Sequence, residues 1–245
     1  MFPQFPYIAH SRGWSAEDME RKRGADRGMN PDTHLQLHWA AQAAAGAGRT
    51  VLPKQRDDSH TNFHWSDGAL MQGDDRSGIR FRDLTLVYGN DEFPLTGRTL
   101  DDGFRFFEQR VGQTIARPGE ATPADHPVAH GALFSPDINE LASFASLFAK
   151  ADRELRRIQE PVRCWPHHFD IATQIDLGEG RTIGIGFLLG DAQYDEPYWY
   201  VTPYPYPEDR TQTKPLPSGF WHTEGWLGAV LLESSGANVA EFLDA

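Results

Sequence analysis

The strongest constraint on the fold is an alternating pattern of side chains in residues 161–207, PVRCWPHHFDIATQIDLGEGRTIGIGFLLGDAQYDEPYWYVTPYPYP. Residues two apart on a strand share a face, so the pattern predicts three consecutive antiparallel strands. A loop at residues 178–180, with Gly180 at positive φ, places Ile175 opposite Ile183. This register keeps the apolar side chains on one face, whereas a slip of one residue would put each isoleucine opposite a glycine.

The two faces of the predicted first strand differ in chemistry. One face is mostly apolar and is expected to cover the core; it carries Trp165, His167, Phe169, Ile171, Thr173, Ile175 and Leu177. The other face is polar, carries His168, Asp170 and Gln174, and lies opposite Gly184 and Gly186. Because glycine has no side chain, the two glycines are expected to leave room for a ligand. A bulge at Pro166 is the alternative, and it would exchange the two faces.

The rest of the chain alternates between helical and strand patterns. Apolar residues three or four apart predict helices at residues 30–45, 99–111, 137–159 and the last residues, 237–245. Gly46 and Gly48 are expected to end the first of these helices. Alternating residues predict strands at 59–65 and 79–88. Without regular βαβ alternation, the pattern favours an α+β fold: a mostly antiparallel twisted sheet with three to five helices packed on its apolar face.

Composition and charge limit the organisation and the partners. Residues 1–29 have no sustained apolar face and are expected to be a flexible arm, whereas residues 30–245 are expected to form a single α+β domain. The formal net charge of −12 disfavours nucleic acid and anionic membranes as partners. The longest apolar runs are too short to span a bilayer. The single cysteine, Cys164, excludes an internal disulfide and is typical of a cytoplasmic protein. A small molecule is the expected partner.

The polar face of the predicted sheet carries the candidate catalytic residues. An aspartate near a histidine can orient the imidazole or share a metal ion with it. Tyr198 and Tyr200 are expected on the same side if Trp199 faces the core, and tyrosine hydroxyls can act as general acids or position a substrate. We therefore take His168, Asp170 and Tyr198 as candidate catalytic residues and Tyr200, Trp221 and Gln174 as candidate substrate-binding residues. A purely structural role of His168 and Asp170 is the alternative.

A metal site is a second possibility. His222 and Glu224 fall on one side of an extended segment, and with His168 they would offer nitrogen and oxygen ligands to a divalent zinc, iron or manganese ion. The remaining histidine pairs are expected to have surface or packing roles; they are His34/His38, His60/His64 and His126/His130. Cys164 is expected to be a buried thiol.

Two motifs, WPHHFD at residues 165–170 and EPYWYVTPYPYP at residues 196–207, resemble those of a bacterial family known as a domain of unknown function. The resemblance extends over residues 30–245 and implies a shared fold, but it names no catalytic residue. Three functions therefore stay open. The first is a small-molecule enzyme with a pocket of His, Asp and Tyr, performing metal-assisted hydrolysis or lyase chemistry. The second is a non-catalytic module that binds a ligand or a peptide on an aromatic sheet face. The third is an inert interaction domain.

Overall fold

The computed structural model describes residues 31–55, 59–73, 75–119, 123–209 and 213–245. Within them an eleven-stranded sheet is antiparallel at every pairing of neighbouring strands and packs against four α-helices. This confirms the predicted α+β class and the predicted antiparallel sheet. The predicted arm at residues 1–29 and the first residue of the predicted domain, Asn30, lie outside the described residues. None of the described helices has an apolar stretch long enough to cross a membrane.

The elements follow one another along the chain, with the longest connection between the second and third α-helices. The helices are α1 Pro31–Val51, α2 Leu100–Val111, α3 Ile138–Ile158 and α4 Val239–Leu243. The first five strands are β1 Phe63–Ser66, β2 Ala69–Gln72, β3 Ser77–Arg80, β4 Thr85–Tyr88 and β5 Asp91–Pro94. The others are β6 Arg163–Trp165, β7 Asp170–Gly178, β8 Arg181–Leu188, β9 Tyr198–Tyr204, β10 Phe220–His222 and β11 Gly228–Leu232. The order across the sheet is β10-β11-β9-β8-β7-β6-β1-β2-β3-β4-β5.

Local sequence signals define the ends of α2 and α3. Thr99 and Asp102 form a reciprocal capping box at the start of α2, in which each side chain accepts a hydrogen bond from the other residue's backbone N–H. The Asp137 side chain accepts the backbone N–H groups of Asn139 and Glu140 at the start of α3. Both helices are therefore where the sequence predicts them.

Helix α1 is longer than the sequence predicts, because Gly46 and Gly48 lie inside it and do not end it. Both glycines allow close packing. A Cβ on Gly46 would lie 2.3 Å from the carbonyl oxygen of Ala116, and one on Gly48 would lie 2.3 Å from the side chain of Gln72. The glycines are therefore required by tertiary contacts rather than by helix termination.

The predicted register of the central hairpin is confirmed. Ile175 pairs with Ile183, and Gly184 and Gly186 lie opposite residues of the polar face. The loop is one residue shorter than predicted, because Gly178 pairs with Arg181 after a bulge. Its two residues, 179 and 180, both have positive φ, at 56° and 74°. A two-residue loop of this kind matches the twist of an antiparallel hairpin.

The predicted continuous strand through Pro166 is wrong. The chain instead reverses in a turn at residues 166–169, so that Trp165 at the end of β6 pairs with Asp170 at the start of β7. Proline has no backbone N–H for a sheet ladder, which favours a chain reversal at this point. As a consequence His167 and His168 are exposed turn residues, and the predicted core position of His167 is also wrong.

The sheet has two faces that are covered differently. The helix-covered face carries the main core with the helices, and its buried sheet residues include Cys164, Ile171, Ile185, Phe187, Trp199 and Leu231. The opposite face, called the open face below, carries a smaller cluster of Ala172, Tyr198, Tyr200 and Val230, with Trp165, Leu188, Tyr194, Trp226 and Leu232 packed around it. Trp165 was expected on the apolar core face and lies on the open face, because the turn reverses the chain.

Candidate functional site

Four neighbouring strands bring their polar ends to one end of the sheet. Because β6, β7, β8 and β9 are sequential antiparallel neighbours, β6 and β8 end where β7 and β9 begin. The turn at residues 166–169 and the loop at residues 189–197 therefore lie at the same end. We call this region, together with the N-terminal half of α1, the sheet-end site. Its polar residues are His34, His38, His167, His168, Asp170, Asp191, Tyr198 and Tyr200.

Helix α1 holds the turn at residues 166–169 in place. His38 donates a hydrogen bond from Nε2 to the carbonyl oxygen of Pro166 at 2.8 Å, and Gln42 donates a second one at 2.6 Å. Residues four apart share a helix face, so both side chains reach the same carbonyl. Phe169, with φ of 58°, is buried and stacks on the His38 ring with 4.7 Å between centroids. The turn is thereby preorganised, and it displays His167 and His168.

Both histidines of α1 favour the neutral form. Burial is the main cause that lowers the pKa of His38 to about 3, and the neighbouring His34 acts in the same direction. Burial also lowers the pKa of His34 to about 4, although the charge of Asp191 acts in the opposite direction. Because a carbonyl oxygen only accepts, Nε2 of His38 carries the proton and Nδ1 has a free lone pair. The expected packing role of this pair agrees with its stacking, and the pair also adds proton acceptors to the site.

Asp170 has an incompletely satisfied buried carboxyl group. Its Oδ2 accepts a hydrogen bond from the Tyr200 hydroxyl at 2.6 Å, whereas its buried Oδ1 has no hydrogen-bond partner among the described residues. Burial raises the pKa of Asp170, while the charge of His168, the hydrogen bond from Tyr200 and the residue's own backbone N–H act against that rise. A buried oxygen without a partner costs about 1–3 kcal/mol. Such groups are found where a proton or a ligand completes them.

His168 is close to Asp170 for a different reason than predicted. The two residues do not share a strand face, since His168 is in the turn and Asp170 begins β7. The charge of His168 nevertheless lowers the pKa of Asp170 and also that of His38. The His168 ring lies against His167 with 4.3 Å between centroids. The turn therefore presents an exposed imidazole beside a buried carboxyl.

The tyrosines lie on the open face as predicted, while Trp199 is in the core. The Tyr200 ring lies across Gly186, where an added Cβ would be 2.5 Å from the tyrosine hydroxyl. The space predicted for a ligand above Gly186 is therefore filled by Tyr200, which uses it to reach Asp170. Tyr198 donates its hydroxyl to Oδ2 of Asp191 at 2.8 Å. Burial raises the pKa of both tyrosines well above the usual value.

The predicted metal ligands do not come together. Strand β10, which carries His222, is separated from β7 by four strand spacings, or about 19 Å at ~4.8 Å each. Nδ1 of His222 accepts the Tyr194 hydroxyl at 2.7 Å, and Nε2 donates to the carbonyl oxygen of Glu224 at 2.6 Å. Neither ring nitrogen is free for a metal ion. No group of three or more His, Cys, Asp or Glu side chains with metal-binding geometry occurs in the described part of the chain. The predicted site of His168, His222 and Glu224 is wrong.

Two predicted substrate-binding residues also lie away from the sheet-end site. Trp221 packs against the main core, on the helix-covered face, and donates its indole N–H to the carbonyl oxygen of Lys214. It cannot share a ligand with Tyr200 across the sheet. Gln174 donates a hydrogen bond to the Thr182 hydroxyl at 3.0 Å. It lies in the middle of β7, whereas Asp170 is at the start of that strand. Of the predicted substrate-binding residues, only Tyr200 belongs to the site.

A half-buried aromatic cluster lies beside the site on the open face. The His222 and Trp226 rings stack with 4.4 Å between centroids, and Tyr194 contacts His222 and Tyr198 edge-on. Phe220 is 40% exposed, and its ring centroid lies 5.8 Å from that of Tyr194. Tyr194 and Asp191 were not among the predicted site residues, since both are in a loop without periodicity. A polar loop directly after a buried strand was the available signal.

A shallow depression elsewhere is a weaker candidate. It has a volume of about 260 Å³ and is lined by residues of β5, of α2 and of the connection between them, namely Phe93, Arg98, Asp102, Arg105, Phe106, Gln109 and Arg110. Arg105 and Arg110 are already paired with Asp102 and Asp91. The depression contains no residue of the sheet-end site and no unsatisfied buried group, so it gives less reason to expect chemistry.

Comparisons of the chain with protein-family models, with curated proteins and with solved structures return no match. The geometry of the sheet-end site is therefore the basis for proposing a function.

Proposed function

We propose that this protein is an enzyme that binds a small polar molecule at the sheet-end site and transfers protons between that molecule, Asp170 and His168. The observation that carries the proposal is the buried Oδ1 of Asp170, which has no partner among the described residues while Oδ2 is held by Tyr200. A ligand hydroxyl, amide or amine would supply the missing hydrogen bond.

The environments of the two groups support acid–base chemistry. Burial raises the pKa of Asp170, which favours its protonated, proton-donating form. His168 lies in the adjacent turn and is exposed to solvent. Pairs of titratable groups in contrasting environments are typical of acid and base partners in enzymes. Asp170 and His168 would suit hydrolysis or lyase chemistry that does not use the predicted metal site of His168, His222 and Glu224. Tyr198 would contact the substrate.

A ligand screen tests the proposal. Small polar compounds are screened for an increase in the melting temperature of the wild-type protein, and compounds that bind are followed by NMR for turnover. Asp170→Asn and His168→Ala should each abolish turnover, and Asp170→Asn should also weaken binding at least tenfold. His130→Ala is the matched control, because His130 is exposed and bonds only Asp125 among the described residues.

The proposal fails if compounds that bind the wild-type protein bind the Asp170→Asn and His168→Ala variants with unchanged affinity. It also fails if turnover persists in both variants.

The alternative function is a non-catalytic binding module. The observation that favours it is the half-buried cluster of Tyr194, Phe220, His222 and Trp226 on the open face, since exposed aromatic groups are typical of recognition surfaces. Under this alternative Trp226→Ala would remove ligand binding while Asp170→Asn would not.

Two broader assignments are also proposals. The single thiol, Cys164, is free and buried, which supports a cytoplasmic location. The WPHHFD motif supports membership of the bacterial family named above, since it forms the turn that organises the site.

A further inference from the structure

Arg49, near the C-terminal end of α1, has no counter-charge among the described residues. The side chain is half-buried, and both Nε and Nη2 are buried without a hydrogen-bond partner among the described residues. Desolvation lowers the pKa of Arg49, and no carboxylate among the described residues acts against that effect. Other arginines of the described chain have partners, such as Arg80 with Asp83 and Glu92.

An unpaired buried guanidinium is costly, because removing a charge from water is repaid only when an opposite charge or several hydrogen bonds replace the solvent. Guanidinium groups bind carboxylate and phosphate oxygens through two parallel N–H donors. Nε and Nη2 of Arg49, the two atoms without a hydrogen-bond partner among the described residues, together form such a donor pair. The missing partner is therefore expected to be an anionic group with two oxygens to offer.

The position of Arg49 links it to the sheet-end site. At 3.6 residues per turn, Arg49 lies on the same stripe of α1 as His38 and Gln42, whose side chains hold the turn at residues 166–169. Desolvation is the main cause that lowers the pKa of His167 in that turn to about 4, and the charges of His168 and Arg49 act in the same direction. The His167 ring contacts the His168 ring, with 4.3 Å between centroids. Arg49 therefore lies on the helix stripe that faces the turn carrying His167 and His168, and Asp170 begins the next strand.

We propose that Arg49 and His167 form a subsite for an anionic oxygen group, a carboxylate or a phosphate, carried by the small molecule that reacts at Asp170. The inference rests on the proposed function in one respect, namely that the anion belongs to the same ligand. The net charge of −12 does not oppose it, because exposed charges farther than about 8 Å are screened at physiological salt whereas a desolvated guanidinium acts at contact distance.

Anion titrations at constant ionic strength test the subsite with defined probes. The melting temperature is measured while sodium chloride is replaced by inorganic phosphate in one series and by acetate in a second. The wild-type protein should show a saturable increase with at least one of the two anions, and the effective series identifies the preferred group. Arg49→Met should lose the increase, whereas Arg82→Met should keep it, because Arg82 is 72% exposed.

Two further measurements keep the test decisive if Arg49→Met does not fold. Arg49→Gln should weaken anion binding at least tenfold. In the wild-type protein, NMR should show the Arg49 Nε–H and His167 ring signals moving with the same half-saturating concentration as the melting temperature. The subsite is refuted if neither anion gives a saturable increase, if a folded Arg49 variant binds as the wild type does, or if these signals do not move.

The Asp170→Asn variant separates the two proposals. It should keep anion binding at Arg49, because the carboxyl of Asp170 is not part of the subsite. Loss of anion binding in Arg49→Met together with unaltered turnover in Asp170→Asn would refute the proposed chemistry and leave the subsite standing. Turnover that depends on Asp170 with no anion binding at Arg49 would refute the subsite alone.

Discussion

At the scale of single residues, the site depends on one glycine that admits one tyrosine. Gly186 on β8 lets the Tyr200 ring lie flat on the sheet, and the hydroxyl then reaches Asp170 at 2.6 Å. A tyrosine without that hydrogen bond would leave both carboxyl oxygens of Asp170 unsatisfied. The position of the carboxyl is therefore determined by packing on the open face.

The first prediction concerns this packing. Gly186→Ala should lower the free energy of unfolding by about 1–3 kcal/mol, because the new Cβ overlaps the Tyr200 ring in a packed environment. Urea denaturation measures the change. Gly119→Ala is the control, since a Cβ there meets no atom within 4 Å. An equal effect of the two substitutions would contradict the tight contact.

The second prediction concerns the charge of Asp170. Its pKa in the folded protein is raised, so the folded state binds the proton more tightly than the unfolded chain does. The stability that this contributes is present below the usual carboxyl pKa and is lost as the pH rises through the raised pKa. The Asp170→Asn side chain has nearly the same shape and keeps a carbonyl oxygen that can accept the Tyr200 hydroxyl. Because it carries no charge, it should stabilise the protein at pH 7 by on the order of 1 kcal/mol.

Urea denaturation of wild type and Asp170→Asn at pH values from about 4, near the usual carboxyl pKa, to about 8 checks the sign of this pH dependence. The difference between the two proteins should grow with pH. A variant that is less stable at every pH would indicate a structural carboxylate.

At the scale of elements, α1 is the part that the rest of the site is built on. Its His38 and Gln42 side chains hold the turn, its Arg49 lies farther along the same stripe, and its two internal glycines let the helix approach other segments closely. The same helix thus provides both packing surface and polar groups. Its length, rather than its local propensity, makes this possible.

The third prediction is that Gly46→Ala destabilises the protein, although alanine is the better helix former by about 1 kcal/mol. The new Cβ would lie 2.3 Å from the backbone oxygen of Ala116, so either the helix or the facing segment must shift. We expect a net loss of at least ~1 kcal/mol, as for overpacked cores. A rise in melting temperature, as at an unhindered helix glycine, would contradict this account.

At the scale of the whole molecule, the sheet separates two kinds of surface. The helices bury one face in a continuous core, while the open face keeps its aromatic and polar groups partly accessible. The buried neutral histidines lie where the core meets the sheet-end site. Their burial should make the stability of the whole fold depend on pH.

The fourth prediction follows from that burial. The pKa values of His34 and His38 are lowered to about 4 and about 3, so the unfolded chain binds more protons than the folded protein below about pH 6.5. Stability is therefore complete above that pH and is lost as the pH falls, by up to about 1.4 kcal/mol per pH unit for each histidine.

Denaturation of wild type and His38→Gln at pH 7 and at pH 5 tests the fourth prediction, since these values lie on either side of the usual histidine pKa of about 6.5. The variant retains an amide donor for Pro166 but has no titrating group, so it should lose less stability between the two pH values. Equal losses would show that His38 does not contribute.

The sequence alone determined the α+β class, two helices with their caps, the register of Ile175 against Ile183 and the side of the sheet on which Tyr198 and Tyr200 lie. These features depend on side-chain periodicity and on caps within a few residues, which are local properties. Only the tertiary structure decided that Pro166 begins a turn, that Gly46 lies inside a helix and that Tyr200 fills the space above Gly186. It also placed His222 four strands from Asp170 and left Nε and Nη2 of Arg49 buried without a hydrogen-bond partner among the described residues. These outcomes depend on which segments become neighbours, and the energy of such contacts is not encoded in the periodicity of either segment alone.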